Sequence, residues 1–149
     1  MAEVIIPQAD ADALLAMEKR RENDDQYDYP GLGGAIAVPV VSMDKRERFT
    51  LDVRRGSIDL LKGTYQTRAR HVVVLARLDF GGAPHRNPDD EEIASPHLHV
   101  YKEGYGTKWA IPLPKDKFPI PADLWHLLED FFAFCNITSP PIIRRGLFE

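Results

Sequence analysis

RFTLDVR (residues 48–54) decides how the rest of the chain reads. Phe49, Leu51 and Val53 alternate with Arg48, Thr50, Asp52 and Arg54, the two-residue period of a strand with one apolar and one polar face. HVVVLARLDF (71–80) is more apolar and suits the centre of the same sheet. AIAVPVV (35–41) is apolar as well, but Pro39 has no N–H for a ladder and points to an edge strand. IDLLKGTYQTRAR (58–70) follows the turn at Arg55, Gly56 and Ser57 and is strand-like with a break at Gly63. PHLHVYKEGY (96–105) and KWAIPLP (108–114) flank a turn at Gly104, Tyr105 and Gly106, which predicts a hairpin.

Helices are expected at both ends of this strand-rich middle. Asp10 can cap a helix reaching to Asn23, with Asp12 in its first turn and Lys19, Arg20 and Arg21 at its C-terminal end. Near the other terminus, Leu124, Leu127, Leu128, Phe131, Phe134 and Cys135 form an i, i+3, i+4, i+7 stripe over 121–135, with Asn136 ending it and Pro140 and Pro141 forbidding continuation. The expectation is one α+β domain over residues 1–149. Its sheet would be an antiparallel meander of about five to six strands, with the N-terminal helix and the amphipathic C-terminal helix packed on one face.

Composition agrees with a globular chain: 149 residues, 44% hydrophobic and 28% charged. No window reaches the ~18 apolar residues of a membrane-spanning helix. The start, MAEVIIPQADADALL, has no basic leader region, so a cytoplasmic location is expected. One cysteine, Cys135, excludes an internal disulfide and a thiolate-rich zinc site; on the apolar stripe with no cation near it in sequence, it reads as a buried structural thiol. The net charge of −4 is unevenly spread: −5 over residues 1–43, +5 over 44–77 and −4 over 78–149. The basic middle can attract RNA or another polyanion, or pair with the acidic ends of the same chain. Phosphate-cradling GxxxxGK[ST] and GxGxxG loops and the GxSxG nucleophile elbow are missing from the sequence.

If helices cover one face, alternation places polar residues on the other. His97, His99 and Tyr101 would stand there with Arg77, Asp79, Asp52 and Arg54. Histidines at i and i+2 of a strand point the same way, roughly 6–7 Å apart. That spacing suits an acid–base pair flanking a scissile phosphate, with His85 assisting, Tyr101 relaying a proton, and Arg54, Arg77, Arg86 or Lys102 holding phosphate. It equally suits two ligands of one metal ion, with His85 or Asp79 as the third, or a solvated histidine pair with no chemistry. His126 reads as the surface partner of Asp130.

HRNPDDEEIASPHLHVYKEGYGTKWAIPL (85–113) carries the one motif-like block. His85, Asn87, Pro88 and Asp89, followed by His97, His99, Tyr101, Lys102, Glu103 and Gly104, resemble the signature of a family of small uncharacterised bacterial proteins, HxNPDG followed by HxHxYKEG. Asp90 departs from the pattern, standing where glycine is usual. The resemblance implies no established activity; comparable HxH strands occur in toxin components of bacterial toxin–antitoxin pairs, a fold-level analogy. The leading expectation is thus a toxin-like, metal-independent endoribonuclease or related phosphodiester-acting protein without a cofactor. A binding protein of phage or mobile-element type, acting on an antitoxin, a host factor or a nucleic acid, is the second. A metal site at His85, His97 and His99 is the third.

Overall fold

The alternation in RFTLDVR becomes strand β4 (Arg48–Arg55), in which Phe49, Leu51 and Val53 are buried and the residues between them are not. The computed structural model describes residues 5–59, 61–121 and 123–145. The first four residues of MAEVIIPQADADALL lie outside that range. In chain order the remaining elements are α1 (Gln8–Ala16), β1 (Lys19–Arg21), β2 (Gln26–Asp28), β3 (Ala35–Ser42), β5 (Gly63–Ala69), β6 (Val73–Phe80), β7 (His85–Arg86), β8 (Glu92–Ile93), β9 (His97–Val100), β10 (Ala110–Pro112), α2 (Leu124–Phe134), β11 (Ile137–Ser139) and β12 (Ile142–Arg144). No helix among the described residues is long and apolar enough to cross a membrane.

The α+β class stands, but the expected antiparallel meander of five to six strands does not. Eight strands form one sheet in the order β10-β9-β6-β5-β4-β3-β1-β11, and the sheet is mixed because β1 runs parallel to β11. The two extra strands are β1, from the segment assigned to the first helix, and β11, just after the second. The first helix stops at Ala16, because Met17 is extended (φ −60°, ψ 133°). Lys19, Arg20 and Arg21 therefore leave the helix and pair with Ser42, Val41 and Val40 of β3. Pro39 lies just past the end of this short partner, facing Thr50 of β4, so the missing N–H disturbs no ladder.

The second helix begins later than expected, at Leu124. Asp123 caps it by accepting from the backbone N–H groups of Trp125 and His126. Its side chain also meets His126 Nδ1 at 2.9 Å, so the partner of His126 is Asp123 rather than Asp130. Asn136 (φ 56°) turns the chain out of α2 and into β11. Leu127, Leu128, Phe131 and Phe132 of α2 share one core with Ala11 and Leu14 of α1 and with Leu51, Val53, Tyr65, Leu78 and Leu98 of the sheet. Tyr65 joins the layers: its ring lies 4.8 Å from Phe80 and 6.3 Å from Phe131, and its hydroxyl donates to Leu124 O. Gly63, where the strand pattern breaks, admits no side chain, since a Cβ there would stand 2.4 Å from Arg54 O.

Candidate functional site

Strand register carries the polar residues of four strands into two rows. Arg54 pairs with Thr64, Thr64 with Asp79, and Asp79 with His97. In the adjacent row, Asp52 pairs with Gln66, Gln66 with Arg77, and Arg77 with His99. Alternation along each strand puts both rows on the face away from Leu78 and Leu98. A cleft of about 720 Å³ opens over them, lined by Asp52, Arg54, Lys62, Thr64, Arg77, Asp79 and His97 among others.

The face is not open over the histidines, contrary to expectation. His97 is 3% exposed and His99 0%. The cover is the polar segment between β6 and β9, folded back as the β7–β8 hairpin. Asn87 fastens it to the sheet: its Nδ2 donates to Ala110 O (2.9 Å) and its Oδ1 accepts from Ala110 N (2.8 Å). His85 packs edge-on against His99 with ring centroids 4.6 Å apart, and its Nε2 meets Lys108 O at 2.7 Å. Asp90, at the usual glycine position, adopts φ 71°, and its N–H donates to Asn87 O. The left-handed turn persists with an aspartate in it, a residue that tolerates this region better than most.

Within the cluster the hydrogen bonds are directional. Asp79 Oδ1 accepts from Thr64 Oγ1 (3.1 Å) and from Arg77 Nε (3.2 Å). Its second oxygen, Oδ2, faces two imidazoles, 3.4 Å from His97 Nε2 and 3.2 Å from His99 Nε2. His99 Nδ1 donates to Thr107 O (2.7 Å). His97 Nδ1 and His99 Nε2 are buried with no aligned hydrogen-bond partner. Burial pushes the Asp79 carboxyl upward, but the His99 imidazole and the Arg77 guanidinium outweigh it and hold the group well below the usual carboxylate range. Burial lowers His97 below the ordinary histidine value, more than Asp79 raises it. The donor atoms of Asp79, His97 and His99 lie within 4.8 Å of one another, so these three residues can share one ion.

The structure thus brings His85, His97, His99, Asp79, Arg54 and Arg77 together. Three sequence candidates lie elsewhere. Tyr101 follows the end of β9, where alternation lapses; it is buried, and its hydroxyl both accepts from Ile6 N and donates to Ile6 O, holding the N-terminal segment. Lys102 lies over Trp109 and Tyr105, 4.5 and 5.5 Å from the ring centroids. Arg86 is on the outside of the hairpin, paired with Glu92 at 2.9 Å. Sequence reasoning missed Lys62 and Thr64, which sat in a segment read only as an interrupted strand; setting Thr64 opposite Arg54 would have found both. Arg68 belongs to the rim but is held by Asp52 through two contacts of 2.7 and 3.0 Å. Arg54 and Lys62 form no ion pair among the described residues.

Residues 6–137 match the family described as a family of unknown function, DUF6978, and the chain belongs to that family. Neither a curated protein nor a solved structure matches it.

Proposed function

We propose that this member of the DUF6978 family acts on phosphodiesters, receiving an RNA backbone in the cleft above strands β4, β5, β6 and β9. The observation that supports it most is the pair of uncompensated cations. Arg68 and Arg77 are neutralised by Asp52 and Asp79, whereas Arg54 and Lys62 present their charge to the cleft. A guanidinium and an ammonium over a concave surface suit phosphate oxygens. The Asp79–His97 end of the same cleft supplies the groups that would act on a bound phosphate. An acid–base mechanism with both imidazoles on substrate is not favoured, because His99 has no exposed surface; His97 alone among the histidines lines the cleft. The toxin-like analogy of the 85–113 block extends this reading to cellular RNA as the target.

The test is binding of a mixed RNA pool at ~50 mM salt and above. Affinity should fall steeply as salt rises, because each phosphate contact releases counterions. The double variant Arg54→Glu/Lys62→Glu should weaken binding by at least tenfold more than Lys115→Glu/Lys117→Glu, which changes the same charge away from the cleft. Equal losses, or no RNA binding by the wild-type chain at ~50 mM salt, would overturn the proposal.

A further inference from the structure

We infer that Asp79, His97 and His99 form the protein side of a mononuclear site for a divalent transition-metal ion, open toward the cleft. This goes beyond the phosphodiester reading and does not depend on what occupies the cleft.

Consider first where the lone pairs point. A neutral His99 that donates from Nδ1 to Thr107 O has no hydrogen on Nε2. That bare nitrogen faces Asp79 Oδ2, itself only an acceptor, at 3.2 Å and with no exposed surface around the ring. Two acceptors facing each other need a hydrogen or a cation in the gap between them, and Arg77, which pairs with the other oxygen, Oδ1, does not fill it. A proton on Nε2 would meet that need as a charged hydrogen bond, the contact that holds the Asp79 carboxyl low, although the two atoms are not well aligned for it; a metal ion would take that proton's place. A metal ion lying off the line between the two atoms answers the same geometry.

The two edges at Asp79 have the right length. Donor atoms in a tetrahedral shell with bonds of about 2.0–2.1 Å stand about 3.3–3.4 Å apart. The Oδ2 distances to the two imidazole Nε2 atoms are 3.2 and 3.4 Å, while the three donor atoms together span up to 4.8 Å, so the two imidazoles would draw toward each other around an ion. The outer contacts of His99 and Asp79 are also those of metal ligands. His99 is oriented by a backbone carbonyl through its other nitrogen, and Asp79 by Thr64 and Arg77 through its other oxygen, leaving one donor atom of each free to turn inward. Two imidazoles with one carboxylate select a borderline ion such as zinc or iron(II) over calcium or magnesium. Three protein ligands leave a coordination position unfilled, as in catalytic rather than structural sites. Asp79 and His97 both line the cleft, so that position faces Arg54 and Lys62, where water or a phosphate oxygen would complete the shell.

The full chain, stripped by a chelator and dialysed, is titrated with Zn²⁺ and with Co²⁺. One equivalent should bind, with visible absorption from the Co²⁺ form. His97→Gln, His99→Gln and Asp79→Asn should each weaken binding by at least about 100-fold, more than the loss of an outer-shell partner costs. His126→Gln, on the exposed side of α2, should bind as the wild type does. Circular dichroism establishes that each variant is folded; should His99→Gln fail to fold, His97→Gln and Asp79→Asn carry the test. Zn²⁺ should also raise the Tm of the wild type and leave that of the folded ligand variants unchanged. No stoichiometric binding by the folded wild type, or undiminished binding by the folded variants, overturns the site. Measuring RNA binding on the same samples separates the two proposals: RNA binding by a chain that takes up no stoichiometric metal sinks this inference alone, and metal binding by a chain that takes up no RNA sinks the phosphodiester reading alone.

Discussion

Lys19 and His99 each sit on the second strand from an edge of the sheet, at opposite ends, and neither has exposed surface. Their surroundings differ in one respect. Lys19 Nζ donates to Leu15 O and Met17 O at 2.8 Å and to Cys135 O at 2.7 Å, using all three of its hydrogens. Those carbonyls close the C-terminal ends of both helices, where acceptors lack intrahelical partners and the helix dipole favours a cation. The position is saturated and serves the fold. His99 has one nitrogen satisfied and one turned toward a carboxylate it cannot donate to when neutral. Burial alone therefore does not mark a working residue; burial with a polar atom left over does.

The comparison breaks most sharply at Lys19. Lys19→Met keeps the volume and strips three buried carbonyls of their donor, so stability should fall by about 3–5 kcal/mol, measured by urea unfolding. Metal and RNA binding by the folded fraction should be unchanged, and a loss of either would mean that Lys19 is not merely structural. Burial lowers the Lys19 ammonium from its ordinary 10.5 to about 8, with Cys135 acting in the opposite sense. Its folded pKa lies below its unfolded one, so between those values the unfolded chain binds the extra proton. The stability of the wild type relative to Lys19→Met should thus rise with pH across that window. A flat or falling difference would contradict the burial argument.

The second test sets neighbours on one strand against each other. Leu98 lies between the two histidines, points to the opposite face and is completely buried in the core shared with α2. Leu98→Ala should cost roughly 2–4 kcal/mol in unfolding free energy, as truncated core leucines do. Its metal affinity should stay within a few-fold of wild type. A cost under ~1 kcal/mol would show that the helices do not seal this row.

That Leu98 and the histidines oppose each other was legible in the sequence, because period-two alternation is a property of every strand long enough to show it. The polar rows followed from the same rule applied to RFTLDVR and to the strand ending in Phe80. What stayed hidden came from elements without a period. Three residues, Lys19–Arg21, carry no pattern that separates a strand from a helix end, and three basic side chains suited the C-terminal end of the first helix. Nothing in sequence ties Cys135 to Lys19, yet the fold places the ammonium on its carbonyl. The burial of His97 and His99 depends on a loop whose anchor, Asn87, pairs with Ala110 as a strand would. Composition read that loop as solvated, and its Arg, Asp and Glu residues are all exposed; only its contact with the sheet was unreadable. Tyr101 failed for a related reason: alternation was carried one residue beyond the end of β9.

The smallest expected effect is at Arg86, which sequence placed with the phosphate-binding arginines. It lies on the same hairpin as Asn87, but on the outer side. Its guanidinium reaches Glu92 at 2.9 Å and Asp90 at 4.0 Å, and these side chains are all more than half exposed. Exposed pairs of this kind contribute little, because water screens them and ordering two long side chains costs entropy. Arg86→Ala should therefore shift stability by no more than about 0.5 kcal/mol. RNA affinity at ~50 mM salt should fall less than twofold, against at least tenfold for the charge reversal at Arg54 and Lys62. The charge that Arg86 contributes is already met by two carboxylates, whereas Arg54 and Lys62 face the cleft and pair with no carboxylate among the described residues. An equal loss of RNA affinity at Arg86 would move the polyanion from the cleft to the outer side of the hairpin. It would also remove the reason for treating an uncompensated charge, like an uncompensated nitrogen, as the sign of a site.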